Sequence, residues 1–106
     1  MTPDTLTSHR QNRSNSAALV VSRLRAQPAV LAEAKVVGRW VWIMFPTRPA
    51  QDVLTFLQAE GFRWNPKRRA WQHSGGFPTR TAPYDPRAKY GEVDAAQLLA
   101  HADGAP

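Results

Sequence analysis

The spacing of apolar positions changes from segment to segment, and the changes mark the elements. Residues 1–14 are polar with nothing to bury, which predicts a flexible arm. Asn15 or Ser16 can cap a helix on which Leu19, Val20, Arg23 and Leu24 fall close together, with Arg25 nearby, until Pro28 interrupts. A short helical turn over residues 30–34 follows. Residues 35–37 and 40–45 are β-branched and aromatic, which predicts two strands, with Gly38-Arg39 as the hairpin turn or bulge. Pro46-Thr47-Arg48-Pro49 closes the second strand. Ala50, Val53, Leu54 and Leu57 then recur at helical spacing, flanked by Phe56; Thr47 is the expected cap and Gly61 the left-handed stop of a helix over 47–60. Residues 62–64 and 70–73 read as short strands around Asn65-Pro66-Lys67-Arg68-Arg69. Residues 74–83 read as a loop. Asp94 with Gln97 has the capping-box spacing before Leu98 and Leu99, which predicts a last helix ending near His101.

The expected fold class is α+β, a small antiparallel sheet in the order β-β-α-β-β with one helix packed on it and short N- and C-terminal helices. The expected organisation is a polar arm over 1–14, one domain over 15–101 and a frayed tail over 102–106. In the second strand both faces are apolar: Trp40, Trp42 and Met44 share one, Val41, Ile43 and Phe45 the other. One face must meet the Val53/Leu54/Leu57 helix. The other is either covered by the terminal helices or open to a ligand.

Composition narrows the chemistry. The chain has 106 residues, a formal net charge of +6 and no cysteine, so disulfides, cysteine-ligated zinc and thiol catalysis are excluded. The first residues lack the apolar stretch of a signal peptide, and no segment approaches the length needed to span a membrane, so a cytoplasmic location is expected. His9, His73 and His101 lie far apart without metal-ligand spacing, and the eight acidic residues form no paired motif. Ser74-Gly75-Gly76 lacks the spacing of a phosphate loop. No catalytic residue, metal or cofactor is expected; a hydrolase using His73 is the weakest reading.

A binding surface has more support. Of the 4 tryptophans, Trp64 and Trp71 flank the Lys67-Arg68-Arg69 run, and Trp40 and Trp42 lie in an earlier segment beside Arg39. Cations at a hairpin tip can follow a phosphate backbone, and neighbouring aromatic rings can accept unstacked bases. The expected nucleic-acid-binding residues are Arg39, Trp40, Arg63, Lys67, Arg68, Arg69, Trp71, Arg80 and Lys89, with Tyr84 and Tyr90 extending the aromatic supply. Against this, a basic turn is often only solvated, and tryptophans in a small domain usually fill the core. Trp42 and Trp64 are therefore expected in the core and Trp40 and Trp71 at the surface. The leading partner is single-stranded DNA or RNA. The alternative is an acidic protein surface, including that of a protein inhibited through its nucleic-acid groove.

Two strings carry a resemblance: Val36-Val37-Gly38-Arg39-Trp40-Val41-Trp42, and Gly61-Phe62-Arg63-Trp64-Asn65-Pro66-Lys67-Arg68-Arg69-Ala70-Trp71. They resemble a small module of phage, plasmid and bacterial proteins, often described as DnaJ-like, whose pattern is Gly-x-Trp-x-Trp, a helix, then Gly-Phe-x-Trp-x-Pro-Lys-x-x-x-Trp. Lys89-Tyr90-Gly91 resembles a Lys-Tyr-Gly that follows in that module, so the match covers roughly residues 35 to 93. It departs where Met44-Phe45-Pro46 replaces a frequent Ser-Gly. There is no His-Pro-Asp tripeptide, so co-chaperone activity is not implied. What the resemblance implies is a fold and a mobile-element setting.

Overall fold

In the computed structural model, residues 2–77 and 85–104 are described, the last four by their backbone alone. The chain begins in a helix, α1 (Pro3–Asn12), where the sequence predicts a flexible arm. Thr2 caps it by accepting the Thr5 N–H, and Pro3 occupies the first turn, where a missing amide costs nothing. Its docking is polar rather than apolar, which explains why the hydrophobic pattern misses it. His9 Nδ1 meets the Gln58 carbonyl at 2.7 Å and Asn12 Nδ2 donates to the Ala59 carbonyl at 2.7 Å. Those carbonyls end the helix α4 (Gln51–Ala59) and have no partner within it. α1 therefore serves as a side-chain cap for the end of α4.

Ser16 caps α2 (Ala17–Arg23), as its position predicts, and a 3-10 turn (Leu24–Ala26) and α3 (Pro28–Ala32) follow. β1 (Ala34–Val37) and β2 (Trp40–Ile43) form a hairpin, with Gly38 at φ +60° in the turn. The Thr47 cap is not formed. α4 starts after Ala50, which lacks a capping side chain; Asp52 Oδ1 accepts the Val53 N–H instead, at 3.0 Å. Pro49 disfavours helical backbone at Arg48, so the chain stays extended past Thr47. At its other end α4 closes as predicted. Gly61 (φ +93°) donates to Gln58 and Phe62 to Leu57, which is the Schellman pattern.

β3 (Arg63–Asn65) and β4 (Ala70–His73) form the second hairpin, and β4 pairs with β2. Beyond it lie α5 (Pro86–Tyr90), β5 (Val93–Asp94) and α6 (Ala95–Gly104). The sheet has five antiparallel strands in the order β3-β4-β2-β1-β5. The α+β class is as expected. β5 is an addition: two residues are too few to show a strand pattern. Asp94, expected as a cap, lies in β5 with its carboxylate on Lys35, and helix runs through Gly104 where fraying from Ala102 is expected.

The register resolves which sheet face meets the helices. Val41 and Ile43 are fully buried against Val20, Val21, Leu24, Val30, Leu57, Phe62 and Ala95, with Phe45 at the margin. The opposite face carries Trp42, Val37 and Ala70, with Trp40 and Met44 partly buried beside them. α5 covers part of it. The Arg87 guanidinium lies 5.2 Å from the Trp42 ring and donates to Met44 Sδ at 3.5 Å, while the Tyr90 ring lies against Gly38. The second face is thus covered by a cation and a tyrosine rather than by an apolar helix. Among the described residues, no helix is long and apolar enough to cross a membrane.

Candidate nucleic-acid interface

The β3–β4 hairpin is built around Asn65. Its side-chain oxygen accepts the Lys67 and Arg68 amides at 3.0 and 3.1 Å, and its amide nitrogen donates to Gln72 at 3.1 Å. That arrangement nucleates the turn after Pro66 and ties it to the sheet. Arg69 then adopts φ 52°, an uncommon conformation for a residue with a Cβ, and returns the chain to β4. Trp64 and Trp71 stand directly opposite one another, their ring centroids 5.7 Å apart and tilted by 54°. The expectation that Trp64 fills the core is corrected: it is 49% exposed. β3 is an edge strand, and Trp64 stands on its helix-bearing face. Trp71, one strand further in, packs against the main core, and Trp64 extends the row outward.

Next to this pair lies a groove of about 480 Å³. The loop after β2 forms one part of it with Phe45, Pro46, Thr47, Arg48 and Pro49; α4 contributes Gln51, Leu54 and Gln58; and the hairpin contributes Trp64, Arg69 and Trp71. Aromatic, apolar, amide and guanidinium groups thus meet in one concavity, and among the described residues no carboxylate lines it. Among the described residues, neither Arg48 nor Arg69 has a carboxylate within ion-pair distance.

The residues expected to bind nucleic acid do not form one surface. Arg69 and Trp71 line the groove, and Lys67 is exposed at the hairpin tip beside them. Arg68 turns to the other side, where it is half-buried and lies 3.7 Å from Asp85. Asp85 also holds Arg87 at 2.7 Å, and that hydrogen bonding keeps its carboxyl down at about 2. Arg63 is exposed on the face opposite the groove, in the row of Gln72 and Trp42. Trp40 shares that face and is partly buried rather than at the surface. Trp71 is likewise half-buried, because the row it belongs to continues into Trp64. Arg39, in the β1–β2 turn, places its guanidinium 4.3 Å from the Phe77 ring centroid, and Lys89 on α5 lies 5.2 Å from that of Tyr90. Arg80 and Tyr84 lie outside the described residues.

Sequence reasoning missed Trp64 as an exposed ring, together with Phe45, Arg48 and Gln58. The two-residue period does place Trp64 and Trp71 in one row, given the hairpin. One wall of the groove is the non-helical 46–50 segment, which bends at Pro46 and Thr47 and places Arg48 ahead of the start of α4.

His73 is buried, and both its ring nitrogens are committed. Nδ1 accepts the Gly75 N–H at 2.9 Å, so Nε2 carries the proton and donates to the Asn12 carbonyl at 2.7 Å. Burial pushes its pKa down; the Asn12 carbonyl opposes that, while Arg13 and His9 add to it. Neither nitrogen is free to take a proton from a substrate. Among the described residues, no three His, Asp or Glu side chains converge as a metal site. No family model matches this chain, and no curated protein or solved structure is significantly similar to it.

Proposed function

We propose that this chain is a non-catalytic module that binds single-stranded DNA or RNA across the β3–β4 hairpin, in the mobile-element setting its resemblance implies. One observation carries the reading: the exposed Trp64 ring, backed by the half-buried Trp71, stands beside Lys67, Arg69 and Arg48, cations without carboxylate partners among the described residues. Aromatic faces take bases and neighbouring cations take the intervening phosphates, which requires no particular base sequence. The surface is narrower than the whole basic content of the chain. Arg68 and Arg87 share Asp85, and Arg39 and Lys89 lie against aromatic rings, so these four are not uncommitted charge.

The test is a fluorescence titration with a short oligothymidylate and a short oligouridylate. Binding should quench tryptophan emission, and Trp64→Ala should weaken it about tenfold, the value of one base stacked on an aromatic ring. Because Trp64 is half-exposed, the variant should remain folded, which circular dichroism checks. Unchanged affinity in a folded Trp64→Ala protein refutes the stacking role. A nuclease-resistant complex with an acidic protein, in the absence of oligonucleotide binding, would replace the reading with a protein-docking one.

A further inference from the structure

The groove is more than an extension of the hairpin surface, because its walls come from three separate segments and differ in chemistry. Phe45, Leu54 and the Trp64–Trp71 pair supply apolar and aromatic surface, while Arg48 and Arg69 approach from two different loops. Gln58 adds an amide. Its backbone carbonyl is taken by His9, but its side chain has no hydrogen-bond partner among the described residues. Gln51, by contrast, is 3.4 Å from Thr55 Oγ1. A concavity of about 480 Å³ is within the range of small-molecule sites, large enough for one nucleotide and too small for a length of duplex.

We infer that this groove is a pocket for a single unstacked nucleotide, so that the module holds one base out of a single strand or at its end and not only the strand's backbone. The inference rests on the nucleic-acid reading above and deepens it. The base lies against the aromatic row, the Gln58 amide meets its polar edge, and Arg48 and Arg69 take its phosphate. An amide can donate and accept at once, which matches the mixed donor and acceptor edge of a base better than a carboxylate-bearing peptide. With no carboxylate among the described lining residues a basic ligand would lack a counter-charge, and the guanidiniums favour an anion. A nucleotide meets all of these requirements in one molecule: a flat ring, a polar edge and a negative charge.

The experiment uses adenosine 5′-monophosphate, uridine 5′-monophosphate, the two nucleosides and inorganic phosphate, each added to the full chain and followed by amide chemical shifts and Trp fluorescence. A mononucleotide should shift residues 45–48, 58, 64 and 69–71 and compete with the oligonucleotide. Nucleosides and phosphate should each bind more weakly than the mononucleotide, since each satisfies half of the pocket. Arg48→Ala, an exposed loop change, should weaken mononucleotide and oligonucleotide binding by a similar factor, about tenfold. Gln58→Leu should alter the ratio between the two nucleotides while Arg48→Ala leaves it unchanged. Two results would overturn the pocket while leaving the nucleic-acid reading intact: an oligonucleotide that binds with no competition from any mononucleotide, or one whose affinity is untouched by Arg48→Ala. Absence of binding by mononucleotide and oligonucleotide alike overturns both readings.

Discussion

The run Lys67-Arg68-Arg69 offers a test of whether pairing decides which cations bind. Each unpaired cation that meets a phosphate of a single strand contributes about 0.7 to the slope of log affinity against log salt. If Lys67, Arg69 and Arg48 make such contacts, the slope is roughly −2, and affinity falls about 20-fold between roughly 50 and 200 mM salt. The double variant Lys67→Ala/Arg69→Asn leaves Arg48, with a slope of about −0.7 and a fall of only about threefold over the same range. Asn is chosen because Arg69 sits at φ 52°, a backbone conformation Asn tolerates better than most residues. Arg68→Ala removes the same formal charge as either neighbour, but Arg68 lies 3.7 Å from Asp85, and its slope should match the parent. The assay is fluorescence titration of a short oligothymidylate at several salt concentrations, with each variant first shown to keep the parent's circular dichroism spectrum. If Arg68→Ala flattens the slope as much as Lys67→Ala does, ion pairing within the fold does not select the binding cations and the proposed surface is drawn wrongly.

Two further outcomes concern the frame that holds the hairpin. His73 has a depressed pKa, so between the ordinary histidine value of about 6.5 and the lower folded value the unfolded chain binds a proton that the folded chain does not. Its contribution is full above about pH 6.5 and is lost as pH falls below that. The groups facing it are the Asn12 carbonyl, the Gly75 amide, Arg13, His9, Glu60 and the Phe62 ring. A ring-proton titration should place the His73 midpoint below 6.5, and a midpoint at or above that value contradicts the assignment. Two glycines separate steric from torsional cost. A Cβ at Gly75 would meet the Arg39 carbonyl oxygen at 2.1 Å, whereas one at Gly91 (φ +69°, ψ −174°) has nothing within 4 Å. Gly91→Ala should cost about 1–3 kcal/mol through the backbone alone. Gly75→Ala should cost about 4 kcal/mol or more in urea unfolding, and equal losses in the two variants would rule out the contact.

What the chain discloses on its own is what repeats locally. The spacing of Leu54 and Leu57, the Gly61 stop, the alternation through β2 and the Asn-Pro turn are each short-range signals, and each element they mark is present. What stays hidden depends on partners distant in sequence. α1 has no apolar face to read; it is held by two side chains reaching carbonyls 49 and 47 residues away. β5 acquires its meaning from β1, some 59 residues earlier. Trp64 and Trp42 look alike in sequence, each aromatic within a strand, and the strand order separates them: β2 is central and β3 is an edge.

The same distinction applies to charge. Three consecutive cations appear equivalent in the sequence, and the fold makes them different. Asn65 fixes the turn, so Lys67 is left at the tip, Arg68 is carried over to Asp85 on one side, and Arg69 is turned toward the tryptophans on the other. Arg48, which belongs to no charge run, joins Arg69 because Pro49 keeps its backbone extended before α4 begins. A net charge of +6 would by itself supply only a general attraction to polyanions, a long-range and salt-screened effect. Discrimination needs cations that the protein has not already neutralised and that share a cavity with a ring. In this fold that combination is met in the groove beside Trp64 and Trp71. A variant that moves charge elsewhere on the surface should change how fast a strand arrives, while a variant in the groove should change how long it stays.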